Sequence, residues 1–155
     1  MNDATTRDPA ALQALAERVA AAMWSRDRAS QALGMRIVRI APGTAELTMT
    51  VRGDMVNGHH ICHGGYVFTL ADSTFAFACN SHNHNTVAQG CAIDFLAPAR
   101  EHDVLTAVAR ERSLAGRTGV YDIEVTNQHG ATIALFRGKS YRIKGSVIEE
   151  EHHAG

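Results

Sequence analysis

One stretch restricts the fold more than any other. From Val67 to Cys79 the chain carries Val67, Phe68, Leu70, Ala71, Phe75, Ala76, Phe77, Ala78 and Cys79, which at helical spacing leaves almost no polar face. A helix apolar all round is a buried one, so the remaining chain has to wrap it. Asp72 stands in the middle. Burying an unpaired carboxylate costs several kcal/mol or holds it protonated, and Asp is a poor residue for a helix interior. A chain that keeps it there has a use for it, in chemistry or in a bond to a neighbouring helix or loop.

The approach to this helix is a polar loop, Asn57-Gly58-His59-His60-Ile61-Cys62, ending in His63-Gly64-Gly65. The first N–H groups of a helix lack internal partners and sit at the positive end of its dipole. Glycines there let a ligand reach the backbone, which suits a polarised carbonyl or an oxyanion; they also serve a simple tight turn. Gly64 and Asp72 are eight positions apart, or about 12 Å along a helix. One carbonyl cannot lie within reaction distance of both in a single chain. If both serve one reaction, the carboxylate comes from a second copy, which predicts a homodimer with active sites straddling its interface.

The rest of the chain reads as an α+β domain. Asp8-Pro9 marks an N-cap and first helical position, and Leu12, Leu15, Ala16, Val19, Ala20 and Met23 follow at amphipathic spacing. A short helical turn over Ala29 to Leu33 stops at Gly34. Residues 35–40 and 44–51 alternate around Pro42-Gly43 as a hairpin. After the buried helix, strands are expected over 87–96, 103–113, 119–126 and 131–143. A run of strands after one buried helix implies an antiparallel sheet with that helix against its apolar face. The expected layout is a flexible N-terminus over 1–8, one domain over 9–145 and a disordered polar tail over 146–155.

The chain has 155 residues, enough for one domain, and a formal net charge of −1, which makes no electrostatic case for nucleic acid or a membrane surface. No apolar run approaches a membrane span, and the amino terminus lacks a secretion-signal pattern. Cys62, Cys79 and Cys91 are odd in number without Cys-x-x-Cys spacing. That favours reduced thiols and a cytoplasmic location. His59, His60, Cys62 and His63 cluster in the loop, but their spacing matches no ordinary zinc site. No metal is expected. Cys62 beside His63 also has the form of a thiol nucleophile with a base.

Asn57-Gly58-His59, His63-Gly64-Gly65 and Leu70-Ala71-Asp72 resemble the hotdog-fold thioesterases, and within them the phenylacetyl-CoA thioesterase branch. Asp94-Phe95-Leu96-Ala97-Pro98, Gly119-Val120-Tyr121-Asp122-Ile123 and Phe136-Arg137-Gly138-Lys139-Ser140 extend the likeness, which spans roughly Leu33 to Ile143. The resemblance implies a curved antiparallel sheet around one central helix, an added N-terminal helix, and dimers that join as tetramers. It implies hydrolysis of acyl-CoA thioesters, phenylacetyl-CoA or ring-hydroxylated relatives among them, with no cofactor beyond the coenzyme A of the substrate. By that likeness Asp72 is the base or nucleophile, the Gly64 amide polarises the thioester carbonyl, Asn57 lies near the reacting atoms, and His63 supports the acyl group or the helix cap. Gly65 and Phe68 fall beside the substrate; Arg117, Thr118, Gly119, Arg137, Lys139 and Ser140 fall where relatives hold coenzyme A. Phe68, Phe75, Phe77 and Tyr66 can shape an aryl pocket or serve as plain core. A hydratase or dehydratase on the same fold and a non-catalytic acyl-CoA sensor are the competing functions.

Overall fold

The computed structural model describes residues 7–150. Helix α1 (Pro9–Arg26) opens it, with proline at its start as expected, although the Asp8 side chain makes no capping bond. A five-residue helix α2 (Arg28–Ala32) follows, capped by Asp27, whose carboxylate accepts from the Ser30 N–H. Strands β1 (Arg36–Ala41) and β2 (Thr44–Thr50) form the hairpin around Pro42-Gly43. Gly43 takes φ +71, which the turn requires. After a 3-10 turn at Gly53–Met55 comes the long helix α3 (Gly64–Asn80), then β3 (Thr86–Phe95), β4 (Val104–Ala115), β5 (Thr118–Thr126) and β6 (Thr132–Arg142).

The six strands form one antiparallel sheet in the order β1-β2-β4-β5-β6-β3. Alternation along each strand decides which side faces α3. Ala45, Leu47 and Met49 of β2, Leu105, Ala107 and Ala109 of β4, and Tyr121, Ile123 and Val125 of β5 all point inward and are buried. Phe75 of α3 packs on Tyr121 and Phe136 at ring-centroid distances of 5.5 and 6.1 Å. The central helix touches all six strands, so the sheet has to curve around it. This is the wrapped arrangement the sequence called for, with α1 against β1 and one flank of α3.

The outermost strand departs from this pattern. β3 is exposed along nearly its whole length and hydrogen-bonds to β6 on one side only. Its apolar content is high all the same, with Val87 45% and Phe95 54% exposed. Part of the segment expected to be tail is tied down. Asn83 donates to the Ile148 carbonyl at 3.0 Å and accepts from its N–H at 2.9 Å, and Arg7 pairs with Glu150. The remainder of both expected termini, 1–6 and 151–155, lies outside the described residues.

Packing between β6 and α3 leaves no room at Gly138. A methyl group there would come within 2.7 Å of the Phe75 ring. Gly138→Ala is therefore expected to cost about 1–3 kcal/mol by overpacking, measured as a lower urea midpoint at unchanged slope.

Candidate active site

The loop before α3 is built to present Gly64. Asn57 orders it: its side-chain oxygen accepts from the N–H of His59 at 2.9 Å and of Ile61 at 3.4 Å, while its own N–H donates to the Ile61 carbonyl. His60 takes φ 61 to close this tight turn, a region non-glycine residues enter rarely. The Cys62 N–H then donates to Ala99 and the His63 N–H to Met55, each at 2.7 Å, clamping the loop to its neighbours. His63 is the N-cap of α3, and its Nδ1 accepts from the Gly65 N–H at 2.9 Å. Of the two glycine amides, Gly65 is thus consumed by the cap. The Gly64 N–H has no acceptor among the described residues.

Gly64 opens onto a groove of about 570 Å³ whose walls include Asn57, Val67, Phe95, Pro98 and Ile133. The Asn57 amide nitrogen also has no acceptor among the described residues, so the groove offers two N–H donors in apolar surroundings. Phe95 from the end of β3 lies over the glycine, 2.9 Å from where a side chain on Gly64 would begin. Any larger residue at this position collides with the ring.

Asp72 lies two turns further along α3, about 12 Å from Gly64. It is half-buried, and burial alone pushes its carboxyl above the usual 3.8, with no hydrogen-bond or ion-pair partner among the described residues to offset the cost. Its charge adds to burial in raising the thiols of Cys79, pushed to about 12, and Cys91 on β3. The carboxylate therefore faces the side of α3 that looks toward the exposed edge strand. Within one chain it does not meet the Gly64 groove.

The other expected site residues separate. Phe68 packs edge-on against Phe136 at 5.2 Å and belongs to the core boundary. Arg137 and Lys139 alternate outward along β6 while Ser140 points inward, so the three do not share a face. Arg137 fills its fork with Asp122 at 2.7 and 2.9 Å. The Thr118 hydroxyl closes the β4–β5 turn on the Ala115 carbonyl, Arg117 reaches the Arg142 carbonyl, and Gly119 lies against Ser140 and Tyr121. Cys62 is buried and its thiol is pushed up to about 11, which removes it as a nucleophile at neutral pH. His59 and His60 are exposed at the loop tip, apart from the capping His63, and among the described residues no three metal-ligating side chains converge. Sequence reasoning did not single out Phe95 and Cys91 as site neighbours; Phe95 lay within a quoted motif, but only the register of β3 against β6 brings it to the helix start.

A free helix-end amide beside an apolar groove, with a lone buried acid on the same helix, fits acyl transfer. The family model of the thioesterase superfamily matches residues 59–134, which contain the end of the capping loop, α3, strands β3 to β5 and the start of β6. The chain belongs to this superfamily of hotdog-fold thioester hydrolases. It is 51% identical over 129 residues to the acyl-coenzyme A thioesterase PaaI of Escherichia coli K12, covering 83% of this chain and 92% of that protein. The solved structure of the Escherichia coli PaaI protein, from the phenylacetic acid degradation operon, superposes with a TM-score of 0.86 at 50% identity, over 87% of this chain and 98% of that one. A hypothetical thioesterase protein from Streptococcus pneumoniae, solved with coenzyme A, matches at a TM-score of 0.69 and 26% identity, over 72% of this chain and 87% of that one. Among the described residues, no helix is long and apolar enough to cross a membrane.

The raised Asp72 carboxyl has a consequence for stability. The folded protein holds its proton more tightly than the unfolded chain does, so Asp72 costs nothing well below about pH 4 and destabilises increasingly as pH rises through the raised value. Asp72→Asn is expected to melt higher than the wild type at pH 7, with the difference shrinking toward acid pH in thermal scans.

Proposed function

We propose that the chain hydrolyses acyl-CoA thioesters of aryl type, phenylacetyl-CoA or its ring-hydroxylated derivatives, to the free acid and coenzyme A in a reducing cytoplasm. The observation that carries this reading is the unoccupied Gly64 N–H at the mouth of an apolar groove, on the same helix as an acid without a partner. The thioester carbonyl accepts from Gly64 and the Asn57 amide, where negative charge gathers in the transition state. The acyl group lies in the groove against Phe95.

Asp72 of the partner subunit acts as general base. Its raised carboxyl makes it a stronger base than an ordinary aspartate. It takes a proton from a water molecule whose oxygen adds to the carbonyl carbon. The tetrahedral intermediate then collapses, the carbon–sulfur bond breaks with its electron pair going to sulfur, and the proton leaves with the thiolate. Coenzyme A thiolate is a good leaving group, so no strong acid is needed.

Two independent features support a dimer. If Gly64 and Asp72 serve one reaction, the roughly 12 Å between them along the helix calls for a second chain, and β3 is an exposed, apolar, unpaired edge of the kind that proteins cover. Pairing of β3 with its copy would bring the Asp72 side of one helix toward the other protomer; dimers then join as tetramers. The hydratase alternative needs a histidine paired with an acid. His63 has its Nδ1 tied to Gly65 and its ring edge-on to Tyr66 at 6.1 Å, and so does not supply one.

Free-thiol release from a panel of acyl-CoA esters is expected to favour aryl-acetyl groups. Asp72→Asn should lose about 10²–10⁴-fold in turnover without loss of fold. The wild-type pH profile should show an acid limb above the ordinary carboxylate range, since only ionised Asp72 is active. Binding without thiol release would make the chain a sensor instead. The shared site has its own test. Asp72→Asn and Asn57→Ala are each expected to lose most of their turnover alone, but mixing the two should restore roughly a quarter of wild-type turnover, because half the dimers regain one intact site. No recovery on mixing, or a monomer by light scattering, overturns the two-chain site.

A further inference from the structure

At the opposite end of α3 the sheet leaves a second cavity, which takes in Arg117 and Ser140 of the expected coenzyme A positions but lies apart from the Gly64 groove. It has a volume of about 290 Å³ and lies between the start of α1, the β1–β2 turn, the end of α3, the β4–β5 turn and the end of β6. Cys79 on its wall is fifteen residues from Gly64, about 22 Å along the helix. The two openings are therefore separate within a protomer.

Its lining is two-sided in character. Leu12, Leu15 and Leu114 supply apolar walls, whereas Arg117, Arg142 and His84 stand around them. The nearby acids are already engaged: Glu111 holds His82 at 2.8 Å and Glu150 holds Arg7 at 3.0 Å. Among the described residues neither Arg117 nor Arg142 has a carboxylate partner. The accumulated positive charge is felt at His84, whose pKa is lowered by burial first and then by Arg142, His82 and Arg7. Ser140 adds a polar group inside. It is 1% exposed, lines the cavity, and its hydroxyl has no partner among the described residues. Beside it is the ring of Tyr121: a methyl group at Gly119 would meet the Ser140 hydroxyl at 2.6 Å and that ring at 2.8 Å. The Tyr121 phenol is itself buried without a partner among the described residues, which is rare.

We propose that this cavity is a second ligand site for a small organic carboxylate with an apolar body, its carboxylate between Arg117 and Arg142 and its body against the leucines, near the Ser140 hydroxyl. At ~30 Å³ per water-sized group the space holds an acid the size of an aryl acetate, and it is far too small for a coenzyme A nucleotide. An inorganic anion would leave the apolar walls uncovered. The released acid of the proposed reaction belongs to this ligand class, which makes the site a sensor of product. The choice of probe rests on that reading; the cavity and its charges do not.

The test is a calorimetric titration of phenylacetate, with inorganic phosphate and coenzyme A as comparators, into the full chain and into Arg142→Gln and Leu114→Trp. Arg142→Gln removes the uncompensated charge and Leu114→Trp fills the mouth from an exposed position. Phenylacetate binding that weakens about tenfold or more in both variants, while turnover of phenylacetyl-CoA at low product is unchanged, supports the site. Equal affinity in wild type and variants assigns the acid to the Gly64 groove and overturns the proposal, as does the absence of binding. Phosphate binding as tightly as phenylacetate, or coenzyme A displacing the variant-sensitive component, overturns it as well. If the acyl-CoA panel shows no hydrolysis but the variant-sensitive titration stands, the thioesterase reading fails and the carboxylate site does not.

Discussion

Everything in this molecule answers to the enclosure of α3. A helix with Leu70, Ala71, Phe75, Phe77 and Ala78 spread around its circumference has no side that water tolerates. Four strands turn buried aliphatic or aromatic side chains toward it, and α1 covers a flank that the sheet cannot reach. Burial of a side chain such as Phe75 or Leu70 contributes about 1.5–3 kcal/mol. The enclosure is tight enough that Gly138 cannot become alanine without moving Phe75. What the packing leaves open is the first turn of the helix and the strip carrying Asp72, while a cavity borders its buried last turn at Cys79. The functional geography is the complement of the packing.

The strip carrying Asp72 is where a second protomer would matter most. A carboxylate raised by burial, with no bond to relieve it, is a local destabilisation that packing elsewhere has to absorb. Next to it runs β3, which donates and accepts on one side only and exposes apolar residues on a free edge. An open edge invites pairing with another strand. A second protomer on β3 would cover the edge, dry the Asp72 strip further, and bring a second Gly64 into its neighbourhood. The same contact would then complete the fold and the site.

Much of this was legible from residues alone. The apolar period of 67–79 fixed the buried helix, alternation around Pro42-Gly43 placed the first hairpin, and the four later strands lie within two residues of their expected bounds. The site was legible where function lives in the backbone: glycines at a helix start, and a charge at an apolar position. It was less legible where function depends on facing. Arg137, Lys139 and Ser140 sit within four positions of sequence, but strand alternation sends Ser140 inward and the two cations outward. Likewise the pair Gly64-Gly65 reads as two available amides, and only the His63 ring decides that one of them is spent on the cap. Neither outcome has a one-dimensional signature. Phe95 is a third case, since its place over Gly64 follows from the β3–β6 register, forty residues apart in sequence.

The two ends of α3 also divide the chemistry between them in a way the helix dipole accounts for. At Gly64 the protein needs no formal charge, because the unpaired N–H and the positive end of the dipole already favour an oxygen that gains charge only in the transition state. A fixed cation there would bind the charged product as well as the transition state and hold it back. At the far end the dipole is negative and repels an anion, so a carboxylate can be held there only by full charges. That end is where Arg117 and Arg142 gather, without carboxylate partners among the described residues. A weak, preorganised donor where charge is transient and strong, permanent cations where charge is constant is the distribution expected if one end turns over a neutral thioester and the other retains an acid.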